Sequence, residues 1–344
     1  MLNFILNLTK QPDMKSSKKL ISRLKDFNMQ DLSILPTPLQ RLNKLSSELG
    51  ANIYCKRDDL TGFAFGGNKT RKLDYLISDA LQRGADSIVT FGSNQSNWCR
   101  MTAAAGSANG LKVYLFLSGQ TPSVATGNLI LDYLAGAEIT HIDSDDDDVI
   151  LNASMKKYDE LSQAGKNPYF IKVGGSNALG SLGYVRAFYE ILTYCKTEGV
   201  DFTKIFVGAG SAGTQAGLVA GKILSGWSGD IIGVSVSREH KEQEKIVAGI
   251  VSETLELLGE RAGINRIDDS VIVDDNYLGK GYRKNTTEGR EAIELFATRE
   301  GIFLDEVYTG KTASGLIDYC RRGRISPGED MLFIHTGGAV QLFE

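Results

Sequence analysis

Residues that build disulfide frameworks and metal sites are scarce in this 344-residue sequence. The four cysteines, Cys55, Cys99, Cys195 and Cys320, are scattered without a C-x-x-C pair, and histidine occurs only three times. Neither a disulfide framework nor a zinc site is indicated, and we expect no bound metal. A reducing compartment suits this composition.

Long apolar runs and an excess of positive charge are also missing. No run approaches the roughly 18 residues that span a bilayer, so we expect no membrane partner. The formal net charge is −4 at pH 7, which provides no positive field for a polyanion, so we expect no nucleic acid partner. Small molecules are the expected ligands.

The first 17 residues are interpreted as a mobile arm outside the fold. Their apolar start is interrupted by polar residues and is shorter than the apolar region of a usual signal peptide. Four lysines lie between positions 10 and 19 against one acid, Asp13. We expect a cytoplasmic protein, and the basic arm leaves targeting to an organelle open.

Strand-like runs alternate with helix-period segments along most of the chain. The pattern predicts strands at 52–56, 87–91, 112–117, 138–142, 169–173, 204–207, 231–235 and 331–335, and helices at 69–83, 97–108, 128–135, 184–195 and 287–299. This alternation predicts an α/β fold of two lobes, with a boundary near residue 190. Each lobe is expected to be an open, twisted, mostly parallel sheet flanked by helices.

Five acids occupy six positions in the run from Asp143 to Asp148. Calcium binding is one interpretation, but the spaced pattern of an EF-hand is absent. Acids are favourable at a helix N-terminus, so we expect a solvated helix start here.

A glycine-rich loop follows the predicted strand at 204–207. Gly208, Gly210 and Gly213 have the G-x-G-x-x-G spacing of a dinucleotide site. The next strand, however, is followed by Arg238 before an acid occurs, whereas a dinucleotide site needs an acid for the ribose. Ser211 and Thr214 place hydroxyls inside the loop, which suits a compact phosphate monoester at least as well.

Lys69 is predicted to open a helix directly after Gly66, Gly67 and Asn68. The positive end of a helix disfavours a charged lysine and lowers its pKa, as a nucleophilic amine requires. The alternative is an ordinary exposed lysine beside a turn. Taken with the phosphate loop, Lys69 indicates a cofactor that has both a carbonyl and a phosphate, and pyridoxal phosphate is such a molecule.

A series of motifs resembles the D-cysteine desulfhydrase and 1-aminocyclopropane-1-carboxylate deaminase family. In chain order the motifs are Leu35–Leu39, Lys56–Asp59, Gly66–Leu73, Asn94–Asn97, Gly174–Asn177, Gly210–Thr214, Val307–Lys311 and His335–Gly338. The resemblance extends from about residue 30 onward and implies the tryptophan-synthase-β-like fold, known as fold type II of pyridoxal-phosphate enzymes. It implies a large cofactor-binding domain of residues 18–68 and 190–344, a small domain of residues 69–189, an active site in the cleft between them, and a homodimer.

The resemblance also assigns roles to individual residues. Lys69 would form the Schiff base with pyridoxal phosphate and act as the base at the substrate α-carbon. Asn68 would contact the cofactor's 3′-hydroxyl. The remaining cofactor contacts would come from Gly210, Ser211, Ala212, Gly213, Thr214, Tyr308, Thr309 and Thr336.

A small amino-acid substrate would lie against a second group of residues. Ser96 and Asn97, at a predicted helix N-terminus, would hold its carboxylate, with Trp98 beside them. Tyr282 and Tyr308 correspond to the family's two active-site tyrosines, which stack on the ring or handle protons near the leaving group. The expected catalytic residues are therefore Lys69, Ser96, Tyr282 and Tyr308.

Two positions indicate the reaction. Deaminases of this family carry Glu after the second tyrosine and Leu in the H-x-G-G motif, whereas this chain has Thr309 and Thr336. The resemblance therefore implies a lyase that converts D-cysteine into sulfide, pyruvate and ammonia. Ring-opening deamination, elimination of sulfite from L-cysteate, β-replacement, a cofactor-binding protein without turnover and, more distantly, a nicotinamide oxidoreductase are the alternatives.

The sequence departs from the family at two sites. Relatives have His or Gln where this chain has Trp98, and Gly-Tyr-Gly where it has Gly281-Tyr282-Arg283. Arg283 is interpreted either as a group that binds an acidic substrate side chain, such as a sulfonate, or as a residue that points to solvent.

Overall fold

The computed structural model describes residues 21–344, so the predicted arm of residues 1–17 lies outside the described part. The ten strands of the two sheets within this range are β1 (Leu39–Arg41), β2 (Asn52–Arg57), β3 (Ser87–Ser93), β4 (Lys112–Ser118), β5 (Glu138–Ile142), β6 (Pro168–Phe170), β7 (Phe202–Ala209), β8 (Asp230–Ser235), β9 (Ile272–Asp274) and β10 (Asp330–His335). One sheet has the order β1-β2-β10-β7-β8-β9 and the other the order β5-β4-β3-β6. All pairings are parallel except that of β1 with β2.

Helices connect and cover the strands. From residue 39 onward they are α1 (Asn43–Leu49), α2 (Asn68–Gln82), α3 (Asn97–Ala108), α4 (Gly127–Leu134), α5 (Asp147–Gln163), α6 (Ala178–Glu198), α7 (Gly213–Ser225), α8 (His240–Leu257), α9 (Ile264–Asp268), α10 (Thr287–Glu300) and α11 (Thr309–Arg321). No helix within residues 21–344 is long and apolar enough to cross a membrane. The predicted α/β fold with two mostly parallel sheets is confirmed.

The six-stranded sheet is buried on both faces. On β7, Ile205 and Val207 pack into one apolar cluster, while Phe206 between them packs into the cluster on the opposite face. Leu332 and Phe333 of β10 divide in the same way. Both faces are apolar because helices cover both, as expected of a parallel sheet.

Helix α6 packs closely against α2 and α7. A Cβ atom built at Gly183 of α6 would lie 2.3 Å from the backbone oxygen of Arg71 in α2. One built at Gly217 of α7 would lie 2.3 Å from the backbone oxygen of Ser181 in α6. Glycine is therefore needed at these two positions, because a larger residue would prevent the close approach of the helices. This close packing fixes α2, the helix that carries Lys69.

The acidic run forms a helix start, as predicted. Asp146 is the N-cap of α5 and accepts a hydrogen bond from the Asp148 backbone, and Asp147 and Asp148 lie in the first turn. The division into a small domain of residues 69–189 and a large domain stays a prediction, since α6 runs without a break through residue 190.

Candidate active site

Several loops that follow parallel strands meet helix N-termini in one region. Such edges of open α/β sheets are where ligands bind. The loop after β3 leads into α3, the loop after β7 leads into α7, and the segment after β10 carries Thr336.

Asn68 joins three of the predicted site segments. Its Nδ2 donates to Thr214 Oγ1 at 2.9 Å, and its backbone N–H donates to the Thr336 oxygen at 3.0 Å. The backbone of Gly67 has φ +128°, and a Cβ atom built there would lie 3.1 Å from the Thr336 backbone oxygen. A large side chain therefore does not fit at this position. The structure thus brings together residues that lie far apart in sequence.

Lys69 lies in the first turn of α2 with a partly exposed side chain. Burial of the ammonium group lowers its pKa to about 8. The pKa of Lys69 is lowered, as expected from the sequence, but the cause is desolvation and not the helix dipole. A lysine with this pKa is partly neutral near pH 8 and can act as a nucleophile or base.

The loop Gly210–Thr214 runs from the end of β7 into the N-terminus of α7. Ala212 has φ +71°, and Gly213 donates its N–H to Ser176 Oγ at 3.3 Å. The hydroxyls of Ser176 and Ser211 are 2.8 Å apart. The loop thus combines hydroxyls with backbone N–H groups at a helix N-terminus, the donors that a phosphate ester requires.

A buried lysine, Lys72, completes this region and was missed from the sequence. Its Nζ donates to the Gly174 oxygen at 3.0 Å. A Cβ atom built at Gly213 would lie 2.9 Å from the same nitrogen. Burial and the charge of Lys69 lower the Lys72 pKa well below its ordinary value. The sequence offered one indication that Lys72 lies near Lys69: residues three apart on a helix lie on the same face.

These residues fit the phosphate of pyridoxal phosphate. An amine beside the loop suits its carbonyl, and the hydroxyls, backbone donors and the buried Lys72 amine suit a dianionic ester.

Tyr282 and Tyr308 lie side by side. Their hydroxyls are 2.6 Å apart, and their rings meet edge to face with centroids 6.1 Å apart. A Cβ atom at Gly210 would lie 3.3 Å from the Tyr308 ring, which places that ring against the Gly210–Thr214 loop. Burial raises the pKa of both hydroxyls, most strongly that of Tyr308, so both are protonated donors near neutral pH.

Ser96 is the N-cap of α3, and its Oγ accepts from the Cys99 backbone at 3.2 Å. Asn97 is fixed through its Oδ1, which accepts from Arg100 Nη1 at 3.2 Å and from Asn128 Nδ2 at 3.0 Å. With its oxygen used in this way, the Nδ2 group of Asn97 is the part that can donate to a ligand. A helix N-terminus with such donors suits a carboxylate.

Trp98 lies in the core of the four-stranded sheet and is 2% exposed. Its single N–H donates to Thr90 Oγ1 at 2.8 Å, and a Cβ atom at Gly175 would lie 2.8 Å from its ring. The indole therefore supports the Gly174–Asn177 loop from inside. Its predicted contact with substrate stays a prediction, and it has no hydrogen-bond donor left for that role.

Thr309 is tied to a neighbouring carboxylate. Its Oγ1 donates to Asp305 Oδ1 at 2.6 Å and accepts from the Asp305 N–H at 2.8 Å. The backbone N–H groups of Val307, Tyr308 and Thr309 also donate to this fully buried carboxylate. Asp305, which was missed from the sequence, thus organises the loop of Tyr308 and the start of α11.

Arg283 forms an ion pair with Glu344, Nη2 to Oε2 at 2.8 Å. Neither of the two interpretations made from the sequence included this partner. The backbone of Arg283 has φ +56°, the left-handed region that favours glycine.

Two of the family motifs serve a buried ion network behind Lys69. Arg71 donates to both oxygens of Asp58 and to both oxygens of Glu190. Lys56 donates to Glu190 at 2.7 Å and to Thr37. Since Arg71 lies two residues after Lys69, this network fixes α2 from its far side.

Comparison with known proteins assigns the family. A family model described as pyridoxal-phosphate dependent enzyme matches residues 31–337. The chain belongs to this family.

Named relatives match nearly the whole of this pyridoxal-phosphate-dependent enzyme. A D-cysteine desulfhydrase from Klebsiella pneumoniae is 39% identical over 335 residues, which cover 94% of this chain and 98% of the relative. A protein from Pyrococcus horikoshii, which carries the provisional name 1-aminocyclopropane-1-carboxylate deaminase, is 40% identical over 327 residues, covering 94% and 96%.

Solved structures agree with this assignment. A structure described as a homologue of ACC deaminase is 39% identical and superposes with a TM-score of 0.87 over 94% of this chain and 96% of its own. Threonine deaminase isoform 2 from Solanum lycopersicum, at 17% identity, shares the fold with a TM-score of 0.67 over 96% of this chain and 86% of its own. The expected fold, the expected enzyme class and pyridoxal phosphate as cofactor are confirmed.

Proposed function

We propose that this enzyme catalyses β-elimination on a small amino acid, with D-cysteine as substrate and sulfide, pyruvate and ammonia as products. It is proposed to act as a homodimer, with the active site in the cleft between the two sheets. The residues of the sequence-based site that support this proposal are Lys69, Ser96, Asn97, Tyr282 and Tyr308.

Bound pyridoxal phosphate supplies a carbonyl that reacts with amines and a ring that accepts electrons from the substrate α-carbon. The residues that would hold it are Asn68 at the ring, Lys72, Ser176 and the Gly210–Thr214 loop at the phosphate, and Tyr308 against the face.

Lys69 is the base of the proposed reaction. Its pKa of about 8 means that a fraction of the amine is neutral at physiological pH and can take the α-proton. Lys72, whose pKa is also lowered by burial, is oriented instead toward the Gly174 oxygen.

Ser96 and Asn97 orient the substrate. The N-terminus of α3 attracts its carboxylate, and the Nδ2 group of Asn97 can donate to it. This contact fixes the α-carbon relative to Lys69, as an oriented proton transfer requires.

The tyrosine pair can supply a proton to the departing sulfur. Both hydroxyls have raised pKa values, so the pair holds protons near neutral pH. The 2.6 Å contact lets Tyr308 replace a proton given up by Tyr282. A protonated leaving group departs more readily than an anion.

The observation that carries the choice of reaction is the side chain after the second tyrosine. Thr309 places a hydroxyl there, and this hydroxyl is already bound to Asp305. A carboxylate at that position would hold a proton on the ring nitrogen and stabilise electrons in the ring for longer. Without it, prompt loss of a good β-leaving group is favoured over opening of a cyclopropane ring.

Ring-opening deamination is the second candidate, since relatives at about 40% identity carry that name. One experiment separates the two. The purified, cofactor-loaded enzyme is incubated with D-cysteine, L-cysteine or 1-aminocyclopropane-1-carboxylate, and sulfide, pyruvate and 2-oxobutyrate are measured.

Sulfide and pyruvate in equal amounts from D-cysteine support the proposal. 2-Oxobutyrate from the cyclopropane acid, without sulfide from either cysteine, would replace it with deamination. Lys69→Ala is the blank, because it removes the base while leaving the other site residues in place.

A further inference from the structure

The segment that carries Tyr282 has little regular structure of its own. It lies between β9 and α10, and Tyr282 is 39% exposed. A catalytic hydroxyl on such a segment needs an external support to keep its position within a fraction of an ångström. We define Leu278–Lys284 as the tyrosine loop.

Lys311 contacts this loop from the core. It is fully buried, and its Nζ donates to the Leu278 and Gly281 backbone oxygens, each at 2.9 Å. Gly281 immediately precedes Tyr282, so the ammonium group fixes the backbone at the residue next to the hydroxyl-bearing side chain.

The same lysine is tied to the second tyrosine through the chain. It is the third residue of α11, and Tyr308 is the N-cap of that helix. The start of α11 is held by Asp305, which accepts from the Tyr308 N–H at 2.7 Å. Lys311 therefore connects the loop of Tyr282 to the rigid turn of Tyr308.

The position is unfavourable for a cation. The first turn of a helix disfavours positive charge, and burial lowers the pKa of Lys311. Within residues 21–344 it has no carboxylate at ion-pair distance. A buried ammonium bound only to carbonyl oxygens costs stability relative to an apolar side chain, so packing alone does not account for it.

The other contacts of the loop are weaker supports. Arg283 and Glu344 are each about one-third exposed, and exposed ion pairs contribute little. Gly281 N–H reaches the Leu278 oxygen only at 3.4 Å. Among the residues that the structure describes, Lys311 is a fully buried side chain that binds the backbone of the tyrosine loop.

We propose that Lys311 is a positioning residue that holds the Tyr282 hydroxyl against that of Tyr308, so that the pair can pass a proton to the departing group. The part that concerns proton transfer rests on the proposed function. The part that concerns the loop does not.

The first test measures loop opening in the cofactor-loaded protein. The tyrosine loop contains Lys280, Arg283 and Lys284, three trypsin sites in a partly or fully exposed segment. In Lys311→Met we expect cleavage at these sites, identified by mass spectrometry, to be faster by about tenfold or more, because two charge-assisted hydrogen bonds are lost.

Controls separate this effect from general unfolding. Lys222→Met removes a different lysine, one that is partly buried on α7, and should leave cleavage in the loop unchanged. Lys311→Arg, which keeps charged donors, should restore most of the protection. If Lys311→Met does not fold, as judged by its melting transition, Lys311→Gln is measured in its place, since it keeps two N–H donors on a shorter side chain.

The second test is a double-mutant cycle on turnover. We expect Lys311→Met to lower kcat by about tenfold with a smaller change in KM, and to have an effect within about twofold in the Tyr282→Phe background. A purely structural role would lower activity equally in both backgrounds and would overturn the proton-transfer part.

Unchanged cleavage of the loop in a folded Lys311→Met enzyme would overturn the proposal as a whole. This result does not depend on the substrate, so it stands even if D-cysteine is not turned over. In that event the cycle is run with the amino acid that the substrate comparison identifies.

Discussion

Lys72 occupies the space that a side chain at Gly213 would need: a Cβ atom built there lies 2.9 Å from Lys72 Nζ. A buried lysine is thereby held at the opening of α7, directly beside the Gly210–Thr214 loop that we propose accepts the cofactor phosphate. The Gly174 oxygen is its hydrogen-bond acceptor at 3.0 Å. Glycine at 213 and lysine at 72 are thus one feature of the site.

We predict that Lys72→Met weakens the binding of pyridoxal phosphate by roughly tenfold to a hundredfold, the usual contribution of a hydrogen bond to a charged group. The dissociation constant is measured by titrating cofactor-free protein with pyridoxal phosphate and following the visible absorbance. Lys156→Met, an exposed lysine on α5, is the matched control for loss of charge. Equal affinities of Lys72→Met and the control would contradict the role of Lys72.

The reactivity of Lys69 should follow its lowered pKa. In the cofactor-free protein the amine becomes neutral as the pH rises through about 8, whereas the ordinary value is 10.5. We therefore expect pulse labelling with an amine-selective acylating reagent to modify Lys69 half-maximally near pH 8. Mass spectrometry of the labelled peptide, taken across a series of pH values, gives this profile.

The same shift affects stability in a defined direction. The unfolded chain binds a proton at Lys69 between about pH 8 and 10.5 that the folded chain has released, so this residue's contribution to the free energy of unfolding rises with pH across that window. A Lys69 labelling midpoint near the ordinary lysine value of 10.5 would show that the amine is not desolvated.

Sequence patterns predicted most of the fold and only part of the site. Helix α3 and strand β5 have their predicted bounds. Strands β1 and β9 were missed, since three residues are too few for an alternating pattern. Helix α6 begins at Ala178, six residues before the predicted start. Its N-cap is Asn177, a residue that the prediction from hydrophobic periodicity did not take into account.

The site residues that were missed or misassigned from the sequence are those whose roles depend on particular hydrogen-bond or ion-pair partners. Asp305 was missed because its role consists of hydrogen bonds from Val307, Tyr308 and Thr309 in one particular turn. Arg283 was assigned to a substrate or to solvent because its actual partner, Glu344, lies 61 positions away. Both kinds of contact depend on the folded conformation of the chain, which the pattern of apolar and polar residues does not specify.

Arg283→Ala is predicted to leave the ratio of turnover with cysteate to turnover with cysteine unchanged within about twofold, because the guanidinium is already paired with Glu344 and exposed pairs contribute little. Both substrates are compared at equal concentration by measuring pyruvate. Glu344→Gln is the companion variant, since it frees Arg283 without removing it. A selective loss of cysteate turnover in Arg283→Ala would restore the sulfonate interpretation.

Asp305→Ala should destabilise the protein by about 3 kcal/mol, because it leaves the buried donors of the turn without an acceptor. Three backbone N–H groups and the Thr309 hydroxyl donate to this carboxylate, and water does not reach the turn because the side chain is fully buried. Urea unfolding of the cofactor-free protein measures the loss, and Glu253→Ala, an exposed acid on α8, controls for removal of a negative charge. Thr309→Ala removes one of the four donors along with its methyl group, so its cost should be smaller, about 1 kcal/mol. If Asp305→Ala were no less stable than Glu253→Ala, the turn that holds Tyr308 would have to be supported by other contacts.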